Sequence, residues 1–351
     1  MAAAVSTQAA PPPSREEANW FECDVKVADV VARLGALRAT TMRSTGPAAV
    51  SGVLNLVAIT PSDDELPEVE HTIADLAEHQ PSRAVVISPG DPDDEDGIDA
   101  NVSVACTFGE GDLRVCVEQV TLTMRGGALA GAASAVEPLL RNDLPTFLWW
   151  PAPPEAVSDT LDRLRELSTR LITEGARSKE PETALRALGE HIGQGRPYLT
   201  DLSWAALTPW RQMIVQLLGP NEMERLRRGP AVVHIASPGT QPSLAALLLA
   251  GWLAGGLGDG ALIEHEPRPR GSEGVLAVEL ESASGRRLAV ERVEGRATAA
   301  VTVTSPGQRP RRRTLPLPIP HRSVLLAGEL EYLDRDVAFE HAVTRALELI
   351  A

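Results

Sequence analysis

The first part of the chain shows two different periods of hydrophobic residues. Apolar residues that recur every three or four positions predict helices, and such stretches lie at residues 25–40, 66–81 and 127–143. Runs rich in β-branched residues predict strands, and they lie at residues 49–60, 83–89 and 101–124. The last run contains Gly109 and Gly111 and is interpreted as a hairpin. Strands that alternate with helices indicate an α/β domain over roughly residues 20–150.

The second part continues with helical segments and then with closely spaced strands. Leucines on one stripe predict a helical region over residues 155–190, and they are Leu161, Leu164, Leu167 and Leu171. A strand at 231–237 followed by a buried helix predicts a βα unit. Short glycine-containing turns join three more β-rich runs, which predict an antiparallel meander and lie at residues 274–282, 286–293 and 297–305. The last segment of the chain is helical in pattern.

These patterns predict an α/β protein with α+β elements, made of two domains that each contain a mixed sheet with packed helices. The antiparallel meander belongs to the C-terminal one. We expect a disordered Ala/Pro-rich tail at 1–18, an N-terminal domain at 19–152, a helical linker at 153–197 and a C-terminal domain at 198–351.

Charge and composition narrow the class of protein. The chain has 351 residues and a net charge of −15, from 48 acidic and 33 basic residues. Binding of nucleic acid without sequence preference needs clustered Lys and Arg, so we expect no nucleic-acid partner. The longest apolar run, residues 244–258, is too short to cross a bilayer and contains several glycines. Without a signal peptide pattern at the start, the sequence predicts a cytoplasmic protein with no membrane partner.

The motifs of common enzyme active sites are absent from the sequence. There is no GxGxxG after a predicted strand, no GxxxxGK[ST] and no GxSxG, and the seven histidines are scattered. We therefore expect no catalytic residues, no metal and no cofactor. A turn at Ser237–Gly239, followed by Thr240, leads into a helix whose first N–H groups can hold an anion. An ordinary helix cap is the alternative interpretation of this turn.

The cysteines, Cys23, Cys106 and Cys116, are too few for a secreted disulfide framework. If the hairpin tip lies at 110–111, Cys106 faces Val115 and the two strands share a consistently apolar face. This register puts Cys116 on the other face and predicts that no Cys106–Cys116 disulfide forms. A one-residue bulge would reverse the prediction. Cys106 is interpreted as structural, and Cys116 or Cys23 is the candidate for a redox role.

The tryptophans are the remaining feature, because Trp149 and Trp150 are adjacent between two proline clusters. Neighbours in an extended segment face opposite sides, so one should close a core and the other should face the domain junction. Trp and Arg are also enriched at binding hot spots. The candidate partner-binding set is Trp149, Trp150, Trp204, Trp210 and Arg211, with Arg83 in support. A second candidate is the basic run Arg311, Arg312 and Arg313, for which a solvated loop is the alternative.

Four segments of the chain resemble, in order, the OpcA family, the glucose-6-phosphate dehydrogenase assembly proteins of actinobacteria and cyanobacteria. They are HQPSRAVVI (79–87), NDLPTFLWWPAPP (142–154), TDLSWAALTPWRQMIVQLLGP (200–220) and GELEYLDRDVAFEHAV (328–343). The composition resembles that of the actinobacterial members. The resemblance implies a non-enzymatic allosteric activator that binds glucose-6-phosphate dehydrogenase and favours its active oligomer, in the oxidative pentose phosphate pathway. The alternatives are a sugar-phosphate or nucleotide sensor or enzyme that uses the Ser237–Gly239 turn, and a scaffold without effect on rate.

Overall fold

The computed structural model describes residues 16–45, 49–77, 79–108, 114–156, 159–258, 260–269 and 274–351. Within these ranges the chain forms a sheet of nine strands and a sheet of six strands, with helices packed against both. The predicted α/β class with two mixed sheets is therefore confirmed.

The strands of the first sheet are β1 (Glu16–Glu22), β2 (Ala49–Ser51), β3 (Asn55–Ile59), β4 (Arg83–Pro89), β5 (Gly97–Phe108), β6 (Arg114–Arg125), β7 (Thr146–Trp149), β8 (Arg170–Thr173) and β9 (Tyr198–Asp201). Their order is β1-β5-β6-β4-β3-β7-β8-β9, with β2 beside β6. All neighbours from β6 to β9 pair in parallel. This is the doubly wound arrangement, in which the strand order reverses between β3 and β7.

The helices around this sheet are α1 (Val27–Thr45), α2 (Leu66–Leu76), α3 (Ala132–Val136), α4 (Asp159–Arg165), α5 (Pro181–Gly193) and α6 (Leu202–Ala205). Strand β4 is buried at all five inner positions, because elements cover the sheet on both faces. Helix α2 begins with Pro67 in its first turn and buries Val69, Ile73 and Leu76 along one face.

The strands of the second sheet are β10 (Ala231–Pro238), β11 (Ala261–Arg268), β12 (Ala277–Ser282), β13 (Arg287–Arg292), β14 (Thr298–Thr304) and β15 (Arg311–Pro316). Strands β10 and β11 pair in parallel, and β12 to β14 form the predicted antiparallel meander. Strand β15 extends the meander, so the basic run Arg311–Arg313 lies in a strand and not in the loop given as its alternative. The helices of this part are α7 (Thr208–Arg228), α8 (Leu244–Leu257), α9 (Arg322–Glu329) and α10 (Val337–Leu349). Helix α8 packs closely on α10, since a Cβ at Gly251 would overlap the Ala342 carbonyl oxygen.

The prediction of a continuous helical region over residues 155–190 is wrong for the middle of that range. Helix α4 and helix α5 occupy the two ends, but strand β8 lies between them and pairs with β7 and β9. Leu161 and Leu164 are buried in α4 as the stripe requires, whereas Leu171 is buried in the strand. Strand β8 has only four residues, of which Leu171 and Ile172 are apolar, so periodicity cannot separate it from one turn of a helix. The region 153–197 thus adds to the first sheet.

The predicted bounds of the N-terminal tail and of the helix at 127–143 also differ from the structure. Residues 1–15 of the predicted tail lie outside the described residues, but residues 16–18 belong to β1, which pairs with β5. The helix predicted over 127–143 is short, because only Ala132–Val136 is α-helical and 3-10 turns flank it on both sides. Glycines before it and Pro138 after it explain the interruption.

The hairpin of β5 and β6 forms, but with a different register from the predicted one. Its predicted tip at 110–111 lies outside the described residues. Cys106 pairs with Cys116 instead of Val115, and the two cysteines form a disulfide across the strands with a Cα–Cα separation of 4.1 Å. The prediction that this disulfide is absent is therefore wrong. Cys23 is a free and exposed cysteine.

The register is decided by residues far from the hairpin tip. Val102 faces Val120 on the buried side, and the apolar match continues toward the ends of both strands. One residue hides this pattern in the sequence, because Glu118 also points to the buried side. Its carboxylate accepts a hydrogen bond from Arg83 Nε at 2.7 Å, which makes burial of the charge tolerable.

Candidate functional site at the carboxyl edge of the first sheet

The crevice where the strand order reverses is the usual ligand site of a doubly wound sheet. In this chain the turn after β3 carries Pro61 and is followed by an acidic run, Asp63–Glu65, which forms a 3-10 turn before α2. A nucleotide phosphate needs glycines for close backbone approach and a helix N-terminus free of negative charge. The residues at this turn do not fit the pyrophosphate of a dinucleotide.

The same edge is occupied by side chains of the chain itself. Trp149 ends β7 and is fully buried, and its indole N–H donates to Glu174 Oε1 at 3.0 Å. Glu174 directly follows β8. Arg322, from the start of α9, lies 4.9 Å from the centre of the Trp149 ring and donates to both Glu174 oxygens at 2.7 and 3.0 Å. We call Trp149, Glu174 and Arg322 the first junction.

The first junction draws α9 onto the sheet. Arg322 also donates to Glu68, in the first turn of α2, at 2.7 Å. Burial raises the pKa of Glu174, and the charge and hydrogen bonds of Arg322 and the indole of Trp149 oppose that rise. The guanidinium therefore neutralises a carboxylate that the protein has taken out of water.

Trp150 points to the opposite face of the sheet from Trp149, as the alternation of an extended segment predicts. The two indoles lie in separate hydrophobic clusters. Trp150 is 7% exposed and donates its indole N–H to the Pro153 carbonyl at 3.1 Å. Both tryptophans therefore close cores on the two sides of β7, and neither ring is offered to a partner in this conformation.

A second cluster joins α6 and α7 to the segment before α10. Trp204 is 1% exposed, and its indole N–H donates to Asp336 Oδ2 at 2.7 Å. The guanidinium carbon of Arg211 lies 3.5 Å from the centre of the Trp204 ring. Phe339 packs against the same indole with ring centres 5.8 Å apart. We call Trp204, Arg211 and Asp336 the second junction.

Arg211 is held mainly by neutral acceptors. It donates to the Thr208 hydroxyl at 2.8 Å and to the Trp204 carbonyl at 3.4 Å, while its Nε has no hydrogen-bond partner among the described residues. Burial lowers the pKa of Arg211 to about 10, against the attraction of Asp336 and Glu329. The charge of this arginine is therefore poorly compensated in comparison with that of Arg322.

A buried arginine lies beside the second junction. Arg170, in β8, is almost fully buried and donates from Nη2 to Glu329 Oε2 at 3.0 Å. Its Nη1 donates to the Asp334 carbonyl at 2.7 Å. Burial raises the pKa of Glu329, and Arg170 opposes this rise. Arg170 thus ties the segment between α9 and α10 to strand β8 of the first sheet.

The other predicted partner-binding residues separate into buried and exposed ones. Trp210 is 2% exposed, with the guanidinium of Arg292 at 5.4 Å from its ring centre. Arg83 is paired with Glu118 inside the first sheet. Only the basic run Arg311–Arg313 is exposed at all its positions, on β15 at the edge of the second sheet.

The predicted anion-binding turn is only partly accessible. Ser237 is fully buried, and its hydroxyl is hydrogen-bonded to His265 Nε2 at 2.8 Å and to the Ser243 N–H at 3.2 Å. Ser243 caps α8, which is the ordinary role that the sequence left open. Gly239 and Thr240 do line a cavity of about 460 Å³ between this turn and the loop after β8.

Of the charged members of the two junctions, Arg211 was among the predicted residues, whereas Glu174, Arg322 and Asp336 were not. Glu174 and Arg322 are far apart in the chain, and nothing in their local pattern marks them as partners. Asp336 lies inside the quoted segment 328–343, where acids alternate with apolar residues. Among the described residues, no group of three potential metal ligands is found. In the described part of the chain, every helix is too short or too polar to cross a bilayer.

The fold and the two junctions define a two-domain α/β protein whose doubly wound sheet is covered at its carboxyl edge by its own C-terminal helices. Residues 73–190 match the family model described as "Glucose-6-phosphate dehydrogenase subunit N-terminal domain", and residues 197–343 match its C-terminal counterpart. The chain belongs to this family, the OpcA family.

Relatives and solved structures give further similarities. A protein of Nostoc punctiforme, named as the OxPP cycle protein OpcA, is 32% identical over 52% of this chain and 39% of the relative. A protein of Synechocystis with the same name is 28% identical over 44% of this chain and 33% of the relative. The chain therefore spans less than half the length of these relatives. An oxidoreductase from Sinorhizobium meliloti has a TM-score of 0.47 at 11% identity, covering 85% of this chain and 95% of that one. This likeness says nothing about function.

Proposed function

We propose that the chain is a non-enzymatic assembly factor that binds glucose-6-phosphate dehydrogenase and favours its active oligomer. The observation that carries the proposal is the match of two dehydrogenase-subunit domain models, in order, over residues 73–190 and 197–343. The names of the relatives add the OxPP cycle as the setting. The proposed place of action is the cytoplasm, where this pathway supplies NADPH.

The carboxyl edge of the first sheet supports a role other than coenzyme chemistry. The acidic turn Asp63–Glu65 repels phosphate, and the first junction fills the neighbouring edge with Arg322 and Glu174. These side chains are already hydrogen-bonded to one another, so a dinucleotide would have to compete with those bonds. The doubly wound sheet serves instead as a frame that positions the C-terminal helices.

Activation in this proposal is a shift of population. A chain that binds the active oligomer of the dehydrogenase more tightly than its inactive forms raises the active fraction. The size of the shift is limited by the difference between the two affinities, and equal affinities would produce no activation. The chain needs an exposed and rigid contact surface for such discrimination, and it needs no reacting group.

The basic run Arg311–Arg313 is the accessible member of the predicted contact residues. It lies on an edge strand of a chain whose net charge is −15, so it is a local exception in sign. Exposed guanidinium groups suit an acidic patch on a partner and act mainly on the association rate.

The test is a titration of the purified chain into glucose-6-phosphate dehydrogenase from the same organism. NADPH formation and size are followed in the same mixtures, under reducing and under oxidising conditions. A saturable rise in rate together with a larger complex supports the proposal. Absence of both under both conditions contradicts it, and a complex without a change in rate indicates a plain scaffold. An Arg311→Ser, Arg312→Ser, Arg313→Ser variant should associate more slowly, most clearly at low salt.

The cavity at Gly239 and Thr240 favours a second candidate function, a sugar-phosphate or nucleotide sensor. Its volume of about 460 Å³ lies in the range of small-molecule sites. Glucose 6-phosphate and NADPH are titrated into the isolated chain by calorimetry. Saturable heat that disappears in a Thr240→Val variant would support the sensor, and the assembly role alone predicts no heat.

A further inference from the structure

The loop between α9 and α10 exposes large apolar side chains. Tyr332 is 63% exposed, Leu333 is 49% exposed, and Val337, at the start of α10, is 68% exposed. Single apolar residues on a surface need no explanation, but a group of them within one short loop marks an interaction site. Tyr in such a group supplies a large contact area with few rotatable bonds.

The backbone of this loop is nevertheless fixed from below. The buried Arg170 donates to the Asp334 carbonyl at 2.7 Å and pairs with Glu329, the last residue of α9. Trp204 donates to the Asp336 carboxylate at 2.7 Å. The other oxygen of Asp336 accepts the Phe339 N–H at 2.9 Å and caps α10. Arg170 and Trp204 lie in β8 and α6, which are distant from this loop in the chain.

The two ends of the loop are also anchored by apolar burial. Leu330 is 3% exposed and belongs to the core beside α2 and β7, while Phe339 is fully buried against Trp204. Tyr332 and Leu333 are therefore held outward on a rigid support. A projection that is ordered before binding loses little conformational entropy when it docks.

The charges on the loop indicate the chemistry of its partner. Glu331 and Asp334 are exposed, whereas Arg335 is neutralised by an ion pair with Glu340. The apolar tip therefore has an acidic border. It is complementary to an apolar pocket that is flanked by Lys or Arg.

We propose that Tyr332 and Leu333 form the hot spot of the interface with glucose-6-phosphate dehydrogenase, and that they enter an apolar pocket with a basic rim on that enzyme. This inference rests on the proposed function and adds the contact surface to it. Arg170 and Trp204 are positioning residues in this interface, since they hold the loop without reaching the partner.

The experiment compares a Tyr332→Ala, Leu333→Ala variant with the wild-type chain and with two control variants. Leu262→Ala and Phe21→Ala remove side chains of similar exposure, 56% and 66%, on strands β11 and β1. Binding to the immobilised dehydrogenase is measured by biolayer interferometry at two salt concentrations, and rate activation is measured in parallel. Thermal melting and sizing of each chain alone verify the fold and report self-association.

The loop variant should bind about 30-fold more weakly, since truncation at a hot spot has effects of this order. The control variants should stay within about twofold. Glu331→Lys with Asp334→Lys should also weaken binding, and the salt dependence should change with it.

Equal binding by the wild-type chain and the loop variant would overturn the inference and leave the proposed function standing. A loop variant that loses self-association but not binding would assign the loop to a second copy of the chain, which also overturns the inference. A wild-type chain that does not bind the dehydrogenase would contradict the proposed function itself.

Discussion

The two junctions contain the same pair of residue types in different electrostatic arrangements. Each stacks a guanidinium on a buried indole. The first junction joins the first sheet to α9, and the second joins α6 and α7 to the segment before α10. In the first junction, Glu174 accepts hydrogen bonds from both Trp149 and Arg322. In the second junction the carboxylate of Asp336 receives the Trp204 indole, and Arg211 donates to a hydroxyl and a carbonyl.

The difference shows that the position of the carboxylate decides what an arginine contributes. Arg322 compensates a buried negative charge, so its removal leaves that charge isolated. Arg211 gives stacking and volume, and burial already lowers its pKa to about 10. We therefore expect the two arginines to respond very differently to the loss of their charge.

The largest effect is expected for Arg322→Ala. It leaves the Glu174 carboxylate buried without its cation, and we expect a loss of about 3 kcal/mol in the free energy of unfolding. Urea denaturation measures the loss. Arg335→Ala, which breaks an exposed ion pair with Glu340, serves as a control and should cost about 1 kcal/mol or less. Similar losses in the two variants would show that the first junction is not an ion-paired clamp.

A double variant sharpens this prediction. Glu174→Gln removes the charge that Arg322 compensates, so Arg322→Ala should cost less in that background than in the wild type. A coupling energy near zero in this double-mutant cycle, again from urea denaturation, would mean that the two side chains stabilise the protein independently.

An intermediate effect is expected for Trp204→Phe. The ring remains for stacking with Arg211, but the donor to Asp336 disappears, and hydrogen bonds to charged groups contribute about 2 kcal/mol. Trp150→Phe, which loses a bond to a neutral carbonyl, should cost less. Urea denaturation of both variants measures the two losses in the free energy of unfolding. Equal losses would show that the charged acceptor and the neutral acceptor contribute the same.

A smaller effect is expected for Arg211→Met. A Met side chain keeps much of the packing on Trp204 and avoids the burial of a charge, so stability should change by about 1 kcal/mol or less in either direction. A loss as large as that of Arg322→Ala would break the comparison between the junctions. Chemical denaturation of both variants under identical conditions gives the answer.

The smallest effect concerns pH. The pKa of Glu174 is raised above its ordinary value of 4.5, so the folded chain keeps this proton where the unfolded chain has released it. The contribution of Glu174 to stability is complete below pH 4.5 and is lost as the pH rises through the raised pKa. Glu174→Gln should flatten this part of the pH profile of stability. A profile that is unchanged in the variant would place the titration elsewhere.

Much of the fold was predictable because local pattern and tertiary environment agree. Strand β4 is a continuous apolar run, and the meander β12–β14 has alternating burial with glycine turns between its strands. The predicted hairpin register was wrong because Glu118 is a buried acid whose partner, Arg83, lies on another strand. Strand β8 was missed because its two apolar residues, Leu171 and Ile172, are too few to define a period.

In the two junctions, the sequence predicted the tryptophans and Arg211, but not Glu174, Arg322 or Asp336. The opposite directions of Trp149 and Trp150 follow from the geometry of an extended chain, and both segments that carry the tryptophans were singled out. The sequence did not show whether these tryptophans are buried or exposed. Their burial depends on α9 and α10, which lie at the far end of the chain. The exposed loop at Tyr332 had no local signal, because its exposure results from the anchoring of its flanks.

The sequence by itself determined the alternation of strands and helices, the meander, the absence of common catalytic motifs from its pattern and the family resemblance. Each of these depends on neighbours in the chain or on residue identity. The tertiary structure alone decided the disulfide between Cys106 and Cys116, the pairing of Arg322 with Glu174 and the outward position of Tyr332 and Leu333. These features depend on contacts between distant segments, whose charges and hydrogen bonds are satisfied only after the two sheets and the C-terminal helices are packed together.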